Sequence, residues 1–175
     1  MNWTDLLKNE IAMAYGATEG LLKLVDEDAL DWKPETGSNW MTTGQLLFHL
    51  TSACGFCCKG FVTGDWSVPG GEDLAEMPDE GMLPSAEKMP TAESVDQIKT
   101  LLAADKKLAL EMIAQAGEQD LNDRKVDAPW DPTEKPLGPQ LLMMVNHLAQ
   151  HKAQLYYYLK LQGKPVNTAH LWGMA

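Results

Sequence analysis

Apolar positions recur every three or four residues along most of this chain, and the breaks in that rhythm divide it into helices. Leu7, Ile11, Ala14, Leu21, Leu22 and Val25, with Thr18 among them, share one side of a 3.6-residue repeat, which predicts a first helix over residues 3–26. "KPETGSNWM" then interrupts the pattern with Pro, Gly, Ser and Asn. Thr42 followed by Gln45 is a capping-box signature, each side chain placed to satisfy a free amide of the first turn. From there Leu46, Leu50, Ala53, Cys57 and Phe61 form the stripe of a second helix. A third carries Val95, Ile98, Leu101, Leu102, Leu108, Ala109 and Met112 and is expected to stop near Gly117, a favoured C-terminal residue. The fourth begins after Pro136, Gly138 and Pro139, turns Leu141, Met144, Val145, Leu148, Leu155 and Leu159 inward, and ends near Gly163.

No segment sustains the period-two alternation of a strand, so the expected class is all-α: one four-helix-bundle domain over residues 1–175. The connection between helices 2 and 3, residues 64–90, is too long for a tight turn. Extended, it reaches on the order of 90 Å at ~3.3 Å per residue, enough to cross the length of a bundle. Loops of this size are often functional, which makes it a candidate lid. Residues 118–136, with Trp130 between Pro129 and Pro132, form a second candidate wall.

Charge narrows the partners. A formal net charge of −11 argues against nucleic acid, which requires a basic stripe, and against an anionic membrane surface. No apolar stretch is expected to span a bilayer, and the first residues lack the pattern of a secretory signal, so a cytoplasmic location is expected. The three cysteines crowd into "CGFCC" as Cys54, Cys57 and Cys58. An odd cluster deep inside a helix is a poor disulfide or redox motif and reads as small buried side chains. The ten methionines read as packing filler.

The chemistry-bearing pattern is "NHLAQHKAQ", where His147 and His151 lie one helical turn apart at the edge of the fourth stripe. His49 sits similarly on the flank of the second. Three imidazoles from facing helices suffice for a metal's inner ligand set. Two partly exposed histidines on a helix flank would give the same spacing, and the residues alone leave both readings open. Leu148 stands where H-E-x-x-H needs its Glu, so metalloprotease chemistry is not indicated. His170, in "NTAHLWGMA", reads as a surface residue. Asp105 and Lys152 fall within apolar stripes, and a buried charge needs a partner. They could pair with each other, Lys152 could snorkel outward, or Asp105 could hydrogen-bond a ligand imidazole. Tyr158 is either core or a donor near the site.

"WKPETGSNWMTTGQLLFHL", "HLAQHKAQ" and "YYLKLQGKPV" together resemble the DinB/YfiT-like superfamily. The resemblance implies a four-helix bundle with a long crossover after helix 2 and a divalent metal held by one His on helix 2 and an H-x-x-x-H pair on helix 4. The matching positions are His49, His147 and His151. Where the family often continues H-R-G-Q, this chain has "HKAQ", which keeps Gln154 as a further candidate beside the ligands and lacks the Arg and Gly.

Neutral imidazole ligands leave a +2 charge and open positions on zinc, nickel, iron or manganese, among which ligand type alone does not choose. The resemblance implies an S-transferase-type reaction on a small molecule, with a low-molecular-weight thiol such as bacillithiol, mycothiol or glutathione as cosubstrate. Metal-dependent hydrolysis and a non-catalytic, stress-associated metal-binding role are the alternatives. A homodimer is the family-level expectation. No catalytic residue is assigned.

Overall fold

The computed structural model describes residues 2–68, 71, 74 and 84–175. Helix α1 spans Trp3–Leu22. It stops short of residue 26 because Leu24 and Val25 donate to Leu21 and Leu22, three residues back, and so tighten the last turn. Its N-terminus is held twice. The side chain of Asn2 accepts from the amide of Asp5, and the distant Glu118 carboxylate accepts from the amides of Trp3 and Thr4, both at 2.9 Å.

The capping box forms as expected at the start of α2, Thr43–Leu50, with the Gln45 amide 3.1 Å from Thr42 Oγ1 and the Thr42 amide 2.8 Å from Gln45 Oε1. The second helix is not continuous to Phe61, however. It breaks at residues 51–54 and restarts as α3, Gly55–Thr63, which closes on Gly64 in a left-handed conformation (φ 75°). A non-local carboxylate sits at the break: the amides of Gly55 and Phe56 donate to Asp105, a residue of the next long helix. Residues Thr43–Thr63 also correct the membrane reading. By length and composition alone they could cross a bilayer, but in the fold they are mostly buried, and the turn divides them.

Helix α4 runs Val95–Asp123. Ser94 and the carboxylate of Glu27 cap its start. The predicted stop at Gly117 is a kink (φ 70°, ψ 169°) after which the helix resumes, bringing Glu118 to α1. A short antiparallel hairpin follows, β1 Lys125–Ala128 and β2 Asp131–Pro136, where the sequence reading expected only a loop. With four and six residues, mostly solvent-facing, these strands are too short to show alternation. At the hairpin tip Trp130 meets the rings of Trp66 (5.2 Å) and Phe61 (6.2 Å) edge-on, which ties the hairpin to the end of α3.

Helix α5, Leu137–Leu161, completes the bundle, and a four-residue α6, Thr168–Leu171, packs back on α1 and α5. The fold is all-α in class, with this one small hairpin among the described residues. The core interleaves Leu7, Ile11, Leu46, Leu50, Ile98, Leu102, Leu148 and Leu155, all at most 1% exposed. Of the candidate lid 64–90, residues 69–70, 72–73 and 75–83 lie outside the described residues. Its far end is fixed to α2: Gln45 Nε2 donates to the carbonyl of Met89, and the Ala92 amide to that of Gly44.

Candidate metal centre

His49 lies in the last turn of α2, and His147 and His151 lie on consecutive turns of α5. The fold brings all three together: their ligand atoms lie within 4.8 Å of one another, and each residue is half-buried. His147 Nε2 is 3.3 Å from His49 Nε2 and 3.1 Å from His151 Nε2. Tetrahedral ligands at ~2.05 Å from a zinc ion stand about 3.3 Å apart, so the spacing fits a metal's ligand set.

The hydrogen bonds on the outer side of the rings decide which nitrogens carry lone pairs. His147 Nδ1 is 3.1 Å from the carbonyl of Ala53, which can only accept, so Nδ1 carries the proton and Nε2 is free. Two further side chains, Tyr158 and Gln154, fix the tautomer of His151. Tyr158 Oη lies 2.9 Å from the carbonyl of Met41 and must donate to it. It can then only accept from Gln154, at 3.3 Å, which places the Gln154 NH2 toward Tyr158 and its Oε1 toward His151. At 3.0 Å from that oxygen, His151 Nδ1 must be the donor.

Two Nε2 lone pairs therefore face each other at 3.1 Å. Without a positive charge between them they repel; a cation makes the arrangement favourable. A shared proton is the weaker candidate. Burial, then the neighbouring His151 and His147, hold the His49 pKa down to about 3. Burial also lowers that of His147, with a contribution from His151, and that of His151. All three imidazoles are thus held neutral at physiological pH, the state in which they bind metal.

The structure places the other candidates as follows. Gln154 and Tyr158 join the site through the relay just described. Asp105 does not reach an imidazole, nor does it pair with Lys152. Its carboxylate accepts from Tyr15 Oη at 2.6 Å, from the Gly55 amide at 2.9 Å and from the Phe56 amide at 2.8 Å. Among the described residues Lys152 pairs with no acid, nor does it snorkel freely: Nζ donates to the carbonyl of Leu171 at 2.7 Å, beneath the ring of Trp172. Cys54, Cys57 and Cys58 are free and buried in the core; burial pushes the Cys57 thiol up, and the hydrogen bond with Cys54, then burial, pushes up that of Cys58, so neither of these two is a ready nucleophile. His170 belongs to the cap of α6 with Asn167 and not to the cluster. The sequence reading missed the carbonyls of Ala53 and Met41, which fix two of the rings. Backbone acceptors carry no residue-type signal; only Gly55, next to the helix break, gave a local hint.

A family model described as the DinB superfamily matches residues 10–155. The chain belongs to the DinB superfamily. Comparisons with curated proteins and with solved structures gave no match. Membership agrees with the helical fold and with the positions of His49, His147 and His151, which together are compatible with a divalent metal site.

Proposed function

We propose that this DinB-superfamily protein is a metal-dependent enzyme, and that it joins a low-molecular-weight thiol to a small electrophilic molecule. The convergence of three neutral Nε2 atoms carries the reading. His49, His147 and His151 would hold a divalent cation of zinc, nickel, iron or manganese. Such an ion lowers the pKa of a bound thiol or water and supplies a nucleophile near neutral pH.

The protein's own part is positional. Ala53 and the Gln154–Tyr158–Met41 relay keep the two α5 rings in one tautomer and one orientation, so no reorganisation is needed when the ion binds. Three protein ligands leave a position open, and the half-burial of the rings leaves the site accessible. The full +2 charge that a neutral ligand set leaves would stabilise a bound thiolate or hydroxide alike, and it is the resemblance to thiol-dependent members of the superfamily that favours the thiol. A homodimer belongs to the same proposal. Met143, Tyr157 and Leu161, exposed and on one side of α5, offer apolar surface to a second copy.

A turnover screen tests the proposal. Protein reconstituted with each metal is given glutathione, bacillithiol or mycothiol and an electrophilic chloroaromatic. Metal-dependent conjugation supports the thiol reaction. Ester cleavage without thiol replaces it with hydrolysis, and stoichiometric bound metal with no turnover leaves a binding protein.

A further inference from the structure

The break in the second helix lies directly beside the histidine cluster. His49 sits in the last turn of α2, whose end is closed by the bonds from Thr51 to Phe48 and from Ser52 to His49. Four residues after His49, Ala53 lies in the turn and gives its carbonyl to His147 Nδ1. In an unbroken helix that carbonyl would point along the axis toward the amide of residue 57. The turn is thus what aims a backbone acceptor sideways at a ligand ring.

Asp105 holds the turn open. It is 5% exposed, and its two oxygens occupy the first amides of α3 while Tyr15 Oη anchors it from α1. An independent observation shows how tightly this is built: a Cβ at Gly55 would stand 2.1 Å from the Asp105 carbonyl oxygen and 2.6 Å from Oδ1. Only glycine allows the α4 backbone this close. We propose that Asp105, with Gly55 as its seat, is a positioning residue for the histidine cluster, acting through the helix break to present the Ala53 carbonyl to His147 and so fix that ring's tautomer.

The proposal rests on the metal reading only for its affinity arm, since the tautomer is a property of the metal-free protein. In Asp105→Asn the amide NH2 faces one of the two α3 amides, donor against donor, and the cap fails. The ring nitrogens of His147 are read by 15N NMR on histidine-labelled protein without metal, and zinc affinity by competition with a chromogenic chelator. Wild type should show His147 protonated at Nδ1. Asp105→Asn should shift it toward the Nε2–H form and weaken zinc on the order of 10-fold. Glu118→Gln, which loosens a carboxylate cap at α1, is the control for general loosening and should leave both readouts within twofold of wild type.

If Asp105→Asn does not fold, Tyr15→Phe removes one of the three donors to Asp105 and should move both readouts in the same direction by a smaller amount. An unchanged His147 tautomer and affinity in the folded Asp105 variant, or in Tyr15→Phe where that stands in, overturns the proposal. Equal effects from Glu118→Gln overturn it as well. Wild type that binds no zinc refutes the metal reading, and the tautomer comparison still decides this one.

Discussion

Gln154 offers the sharpest test of the relay, because two substitutions there should act in opposite directions. In Gln154→Leu, His151 Nδ1 loses the acceptor 3.0 Å away, while Tyr158 keeps its bond to Met41, so the change is confined to one ring. The loss has two parts: one neutral hydrogen bond, about 1 kcal/mol net, and the freedom of the ring to rotate or change tautomer. Mutations of such outer partners lower metal affinity 10–100-fold in general. The rigid α5 backbone still delivers the ring, which places Gln154→Leu near the lower end, ~10-fold or about 1.4 kcal/mol. Gln154→Glu keeps an acceptor at the same place and makes it anionic, which raises the basicity of the ligand, so zinc should bind at least as tightly as in wild type. Chelator competition at pH 7.5 measures all three proteins, and unfolding midpoints without metal confirm that each folds. If Gln154→Leu binds zinc as wild type does, the relay does not orient His151, and the tautomer argument for that ring is wrong.

Elemental analysis should find stoichiometric metal in wild type and none in the His147→Ala, His151→Ala double variant; full retention in the variant refutes the ligand set. The pH dependence follows from lowered imidazole pKa values, about 3 for His49 against a usual 6.5. Between those values the unfolded chain binds the proton and the folded one does not, so metal-free stability is full above pH 6.5 and falls as pH drops toward 3, by about 1.4 kcal/mol per unit through His49. Denaturation of the metal-free protein at a series of pH values checks this, and a flat profile across that window contradicts it. Metal should be retained to a lower pH than free imidazole ligands would allow, as chelator-monitored release will show. Lys152→Met should leave the bundle folded but raise hydrogen exchange in Thr168–Leu171, because the bond to the Leu171 carbonyl is lost; unchanged exchange there would rule out Lys152 as the anchor of α6.

Much of the bundle was legible because its signals are local. The capping box of Thr42 and Gln45 is a four-residue affair, and His147 and His151 share a face by spacing alone. Even the relay was half legible, since 151, 154 and 158 follow the same helical edge; its end at the Met41 carbonyl was not. The second helix misled for the opposite reason. Its apolar stripe continues unbroken from Leu46 to Phe61, and periodicity cannot register a carboxylate arriving from a residue 50 positions away. The hairpin escaped because a strand of four residues with a single Val has no period to detect.

Asp105 and Lys152 show where pairwise reasoning about buried charge falls short. Opposite charges in two apolar stripes suggest a salt bridge, yet the fold satisfies each at a helix end. The anion sits at the N-terminus of α3, where free amides and the positive end of the helix dipole meet it; the cation sits at the C-terminus of α6, on a free carbonyl. Both solutions use groups at a helix end that would otherwise need another partner, so each contact satisfies two polar groups at once. Glu118 at α1 and Glu27 at α4 repeat the device. An acidic residue inside an apolar stripe of a helical bundle is therefore as much a cue to a broken helix nearby as to a metal or a lysine. Here that cue points to the turn beside His49.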